Sequence, residues 1–275
     1  MKVYISGDME GVAGITSVEQ TNPAGEPEYA YSCRLMTGEV AAACEGAIAA
    51  GALDILVNDS HWNMRNIIHE DLPADVRLIR GTGKPLSMNQ GLDSSFSAAA
   101  FIGYHGPAGT QDAVIDHTYS GETLFDVRIN GDQCSEGRLN AALAGSFGVP
   151  IVFVSGDDKA CADARRFLPG VGTATVKQAI GRYAAASLSP RRARALIREG
   201  IERALRELDR NVHKPFAFER PIRLELTFTS TAKADMASLF PGTRRTDGRT
   251  LRFENDEFLT VFRAFRALTA LGAGA

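Results

Sequence analysis

Cysteine is scarce in this chain: four in 275 residues, at Cys33, Cys44, Cys134 and Cys161, and no two are spaced as C-x-x-C. That argues against a structural zinc knuckle. Cys33 and Cys44 fall on an Ala-rich helical stretch and read as small core residues, while Cys134 has no basic neighbour in sequence to activate its thiol and reads as inert. Positive charge is not in excess either. Thirty Lys and Arg against 33 Asp and Glu give a formal charge of -3, which offers no argument for nucleic acid or an anionic membrane as partner. No apolar run approaches the length of a membrane span. Met1-Lys2-Val3 enters a strand at once, without the pattern of a secretory signal, so the expected location is cytoplasmic. P-loop, internal repeats and low-complexity tracts are all missing. What remains is an ordinary globular composition long enough for one large domain or two modest ones.

Histidine is also rare, five in all, and its placement is informative. The apolar run Val3-Tyr4-Ile5 leads into Ser6-Gly7-Asp8-Met9-Glu10-Gly11. Residues two apart on an extended chain point the same way, so Asp8 and Glu10 aim two carboxylates at one spot where a buried strand ends. Like charges that close need a proton or a cation between them. Ile55-Leu56-Val57 runs on to His61, and Ala99 to Tyr104 runs on to His105. If these strands lie side by side and parallel, Asp8, Glu10, His61 and His105 meet at the carboxyl edge of one sheet, where open α/β sheets bind ligands. A metal site is the expectation. His69 and His213 lie in polar stretches and read as surface residues.

Strand-like runs alternate with helical ones through about residue 188, which predicts an open, mainly parallel sheet of about five strands with helices on both faces. Glu28 to Ala49 reads as a long helix stopped by Gly51. Asp126 to Gly131 alternates into an Asn-Gly turn, a hairpin signal, and Ser135 can cap a helix opening with Glu136. From Ser189 the pattern changes to an Arg-rich helix, short strands, and a terminal helix whose Phe258, Phe262 and Phe265 share one face. The expected division is a catalytic α/β domain over 1–188 and a smaller α+β unit over 189–275. The bland reading of that aromatic face is packing on the chain's own sheet. Spacing alone leaves Glu136 with a bland explanation too, a carboxylate stabilised at a helix N-terminus.

The Ser-x-Asp-x-Glu-Gly stretch Ser6 to Gly11 resembles the signature of the DppA-type D-aminopeptidases, metallopeptidase family M55. The resemblance continues in order through Val57-Asn58-Asp59-Ser60-His61, Gly103-Tyr104-His105, the His117 segment, Glu136 with Asn140, Gly156-Asp157-Asp158, Val176-Lys177-Gln178 and Pro241-Gly242-Thr243. It implies two zinc ions per chain, bridged by Asp8, with Glu10, His61, His105 and Glu136 as the other ligands. His117 is implied as a catalytic residue, nucleophile or acid/base. The implied reaction releases N-terminal residues, preferably D-amino acids, from short peptides or amides through a metal-bridged hydroxide. A ring-shaped homo-oligomer, a decamer, is implied as well. Ligands without thiolates suit zinc, and manganese or cobalt would also fit. Two metals about 3.5–4 Å apart serve hydrolysis of phosphate esters equally well, so a phosphoesterase and a non-catalytic metal or peptide carrier remain as alternatives.

Overall fold

The computed structural model of the chain describes residues 1–208 and 213–275. It begins with β1 (Lys2–Gly7), a single turn α1 (Val18–Thr21), the long helix α2 (Glu28–Ala49), β2 (Asp54–Asp59), β3 (Val76–Ile79) and β4 (Ala98–Tyr104). A hairpin β5 (Leu124–Ile129) and β6 (Asp132–Gln133) follows, then α3 (Glu136–Gly145), β7 (Ile151–Asp157), α4 (Asp158–Phe167), β8 (Gly172–Gly181) and β9 (Ala184–Ser187). The chain ends with α5 (Pro190–Arg206), β10 (Ile222–Phe228), α6 (Thr231–Ala237), β11 (Arg244–Arg245), β12 (Thr250–Asn255) and α7 (Phe258–Ala273).

Two sheets result. The first has the order β3-β2-β1-β4-β7-β8-β9, parallel except for the edge strand β9. Its central strands are buried on both faces, as continuous apolar runs require. Val3, Ile5, Ala98, Ala100 and Ile102 face α2 and α5, while Tyr4, Phe101 and Val154 face α3 and α4. The second sheet is antiparallel, in the order β11-β12-β10-β5-β6, and packs its apolar side against α6 and α7.

The two sheets do not divide the chain at residue 188. The hairpin β5–β6 belongs to the second sheet, and α5 belongs to the first unit, with its buried Ala193, Ile197, Ile201 and Leu205 packed in the core beneath α2. The physical reason is simple. The Arg-rich face of α5 is solvated, but its apolar stripe at spacings of four fits the sheet face that α2 leaves open. Helix α3 joins the units: Ala141 and Ala144 pack on the first sheet, and Leu139, Ala142 and Leu143 on the second core. The α7 aromatics Phe258, Phe262 and Phe265 are buried within the chain itself. His213 is also buried, contrary to its expected surface position, next to a Pro215–Phe218 segment whose Phe216 and Phe218 rings pack on Phe167 and Phe258. All four cysteines are free and buried, and burial pushes the Cys134 thiol far up.

Candidate metal centre

Strand β1 lies between β2 and β4, parallel to both, so the three chain segments that follow them emerge together. Close approach of the first and third is built into two glycines. Gly11 N–H donates to the Gly103 carbonyl at 2.8 Å, and a Cβ on Gly11 would stand 1.9 Å from the Tyr104 carbonyl oxygen. Gly103 adopts φ +75, and a Cβ there would stand 2.2 Å from the Asp8 carbonyl oxygen. A buried ammonium holds the loop from the other side: Lys177 Nζ donates to the carbonyls of Glu10, of Val12 at 2.9 Å and of Ile15 at 2.5 Å. Glu39 accepts the Ala13 N–H at 2.9 Å. The loop that carries Glu10 is therefore fixed at its backbone and has little freedom to relax.

The six residues expected at the site converge. His61 Nδ1 lies 3.3 Å from Asp8 Oδ1 and 3.0 Å from Glu10 Oε2. On the other side, His105 Nε2 lies 3.6 Å from Asp8 Oδ2 and 3.5 Å from Glu136 Oε1. The two Asp8 oxygens thus face different histidines. His117 stacks on His105 with ring centroids 4.3 Å apart, and its Nε2 is 3.5 Å from Glu136 Oε1 and 4.0 Å from Glu10 Oε1. Ser135 caps α3 as expected, and Glu136 also accepts the Tyr119 N–H at 2.7 Å.

Each histidine is oriented by its far nitrogen. His61 Nε2 meets the Thr21 carbonyl at 2.8 Å, His105 Nδ1 meets Gly106 O at 3.0 Å, and His117 Nδ1 meets Ile115 O at 2.9 Å. A carbonyl only accepts, so each far nitrogen carries the proton, and in a neutral ring the near nitrogen is a lone pair. Three imidazole lone pairs then face three buried carboxylates. Asp8 Oδ2, Glu10 Oε2 and His105 Nε2 are buried without a hydrogen-bond partner among the described residues. Such an array is repulsive unless positive charge enters it. Hydrogen bonds from the outer nitrogens are also the usual support of metal-ligating imidazoles. The donor set, nitrogen and oxygen without thiolate, therefore fits a divalent cation.

The protonation balance of the cation-free site points the same way. Burial first, and the Glu10 carboxylate second, push the Asp8 carboxyl up to about 7. Burial alone would lower His105, but Glu136, Glu10 and Asp8 outweigh it and push the imidazole up to about 10. His61 is raised by Glu10 and Asp8 against the same burial cost. Glu10 and Glu136, which burial would raise, are held below the usual carboxylate range by the histidines. Protons fill the role that a metal would displace.

The cluster opens into a pocket of about 180 Å³. A larger groove of about 870 Å³ runs past Tyr29, Arg65 and Arg80 and contains none of the six residues. Left-handed backbone at non-glycine positions gathers around the smaller pocket: Trp62 (φ 46), Met64 (φ 57), Ser87 (φ 49) and Tyr119 (φ 63) line it, and Ile115 (φ 46) holds His117. Strain of this kind persists where surrounding structure over-determines it, as at functional sites. Among the lining residues that the sequence does not single out are Trp62, Lys84, Tyr119 and Arg266. For Lys84 a signal existed: Gly81-Thr82-Gly83-Lys84 follows β3 at the same sheet edge. Arg266 sits on α7, far along the chain, and carried no local signal.

Comparison with known proteins agrees with this geometry. The model of the peptidase M55 family, described as D-aminopeptidase, matches residues 1–267. A D-aminopeptidase of Bacillus subtilis (strain 168) is 37% identical over 276 aligned positions, covering 98% of this chain and 97% of the relative. The solved structure of the Zn-dependent D-aminopeptidase DppA from Bacillus subtilis, described as a self-compartmentalizing protease, superposes with a TM-score of 0.94 at 35% identity, covering 100% of this chain and 99% of that one. With sequence and fold matched over nearly its whole length, the chain belongs to the M55 family of D-aminopeptidases and is a metallo-aminopeptidase.

Proposed function

We propose that the protein is a binuclear zinc aminopeptidase that removes N-terminal residues, preferably D-amino acids, from short peptides. One observation carries the reading. Three histidines, each tied through its outer nitrogen to a backbone carbonyl, turn their inner nitrogens onto three carboxylates, and the Asp8 oxygens divide between two of them. In this reading Asp8, Glu10 and His61 would hold one ion, and Asp8, His105 and Glu136 would hold the other. Bound zinc supplies Lewis acidity, which brings the pKa of water toward neutrality and polarises a carbonyl.

The remaining chemistry belongs to the protein. His117 reaches into the pocket beside the ligands, and its Nδ1–H on Ile115 leaves Nε2 as the atom that exchanges protons. We assign it the transfer of a proton from attacking water to the leaving nitrogen. A carboxylate of the cluster that is not fully engaged can receive the substrate's free amine. The pocket is smaller than the usual range of about 300–1,000 Å³ for drug-sized ligands, which favours a substrate of few residues.

We also propose a closed homo-oligomer, a decamer, because the DppA relative is a self-compartmentalizing protease and shares this fold at full length. Sites that face an enclosed space would admit only small or unfolded peptides.

The test combines a metal count with turnover. Purified protein should hold two zinc ions per chain and cleave D-alanyl-D-alanine faster than L-alanyl-L-alanine. Cleavage of a nitrophenyl phosphate in preference to either dipeptide would replace this reading with a phosphoesterase, and metal binding without any turnover would replace it with a carrier.

A further inference from the structure

We infer that Arg266, supported by Lys84, binds the free carboxylate of the peptide substrate. This rests on the peptidase reading above and extends it to the far end of the substrate.

Arg266 lies on α7 of the second unit but lines the pocket that opens onto the metal cluster. Its neighbours Phe265 and Phe262 are fully buried, so the helix is rigidly seated. The guanidinium stands 5.5 Å from the Tyr119 ring centroid, and the Tyr119 backbone N–H donates to Glu136. The same residue thus anchors a ligand carboxylate by its backbone and the arginine by its ring. Arg266 makes no ion pair with any described residue. Every acid of the pocket is turned elsewhere: Asp8, Glu10 and Glu136 face the histidines. A half-buried arginine left without an acid in a ligand pocket is a charge reserved for the ligand.

Lys84 contributes from the opposite chain segment. Its Nζ donates to Asn58 Oδ1 and to the Asp59 carbonyl, each at 2.7 Å, which uses two of three donors and fixes the ammonium at the pocket wall. Two divalent ions outweigh three carboxylates, so with Arg266 and Lys84 the loaded pocket is cationic overall. It favours an anionic ligand. A dipeptide spans about 7 Å when extended, and with its amine end at the metals its carboxylate would project to the far wall of so small a pocket. Guanidinium and carboxylate match as a planar, two-point pair.

The full-length, zinc-loaded protein decides this with D-alanyl-D-alanine and its C-terminal amide, which differ only in that charge. The wild type should favour the free acid in kcat/KM by at least about 10-fold, the range of a charge-assisted hydrogen bond. Arg266→Met should lower the ratio of acid to amide about 10- to 100-fold, and Arg266→Lys should restore part of it. Binding gives an independent readout. Trp62 is the sole tryptophan, lies on the pocket wall and is 59% exposed, so its fluorescence should report D-alanyl-D-alanine binding to His117→Ala protein. Adding Arg266→Met, or Arg266→Gln if that variant folds poorly, should weaken this affinity more than affinity for the amide. Equal wild-type kcat/KM on both compounds, or a variant that keeps the wild-type ratio, leaves the peptidase reading standing and overturns the role of Arg266. A wild type that cleaves neither compound overturns the peptidase reading and this assignment with it.

Discussion

Replacing Asp8 with Asn should stabilise the metal-free protein while destroying its response to zinc. Asp8 is 2% exposed and its carboxyl is pushed up to about 7 by burial and by Glu10. The rise from the ordinary 3.8 corresponds to about 4 kcal/mol of cost for ionising it in the fold. The sign follows from linkage. A carboxyl whose folded pKa is raised carries no penalty below about pH 4, a growing one between pH 4 and 7, and the full one above pH 7. Asn removes the charge but keeps the shape, and its oxygen can still accept the Met9 N–H that Asp8 Oδ1 accepts at 2.9 Å. At pH 8 with chelator, Asp8→Asn should therefore melt up to about 8–15 °C above the wild type, at about 2–4 °C per kcal/mol for a chain of this size. At pH 4 the two should melt together. Zinc at about 1,000 times its Kd should then stabilise the wild type by about 4 kcal/mol and the variant by little, so that the gap between the two melts closes. Thermal melts followed by circular dichroism suffice. A metal-free variant that melts at or below the wild type at pH 8, or equal zinc stabilisation of both, would refute the reasoning.

His117→Ala should retain its metal by elemental analysis yet lose about 10²–10⁴-fold in kcat on a D-alanyl dipeptide; loss of an ion instead would place His117 among the ligands, a position its 3.5 Å approach to Glu136 allows. Gly11→Ala should fail to accumulate as folded protein, because its Cβ would meet the Tyr104 carbonyl oxygen at 1.9 Å and only backbone movement relieves that; a soluble variant with wild-type melting would contradict the close approach. Lys177→Met should cost several kcal/mol by leaving the Glu10, Val12 and Ile15 carbonyls without their donor, and should weaken zinc affinity through Glu10; unaltered affinity in a folded variant would separate Lys177 from the site. Light scattering should give a mass many times the 29.5 kDa of one chain, and a monomer at micromolar concentration would end the compartment argument.

The first sheet was legible because its strands are short, apolar and each followed by a residue of distinct chemistry. Those endings meet if the three strands lie side by side and parallel, and the order β2-β1-β4 brings Asp8, Glu10, His61 and His105 together. Strands β8 and β9 were not read. Their pattern is broken by exposed positions along an edge, and Ala184 to Ser187 carries none of the β-branched or aromatic residues that mark a strand. The division of the units was misread for a related reason. Local pattern says which residues form a strand, but not which sheet the strand joins. The Asn-Gly hairpin is plain in sequence, and Asn130 at φ 54 with Gly131 at φ 89 forms its turn, yet β5 pairs with β10, nearly a hundred residues downstream.

That pairing has a consequence for the site. The segment between β4 and β5 leaves the first sheet and arrives at the second, and on the way it carries His117 and Tyr119 across the pocket. Glu136 is reached as the chain turns back from the second sheet into α3, and Arg266 approaches from α7. Asp8, Glu10, His61 and His105 on the first-sheet edge were readable because each closely follows a strand. His117 and Glu136 were reached only through family resemblance, since nothing in their spacing says that a hairpin lent to another sheet will bring them back to the edge. Arg266 was reached by neither route, because its position depends on how α7 and the second sheet dock against α3. Asp8, Glu10, His61 and His105 thus carry the direct signal of strand endings, while Glu136, His117 and Arg266 come from the seam between the two units, where sequence pattern carries no address.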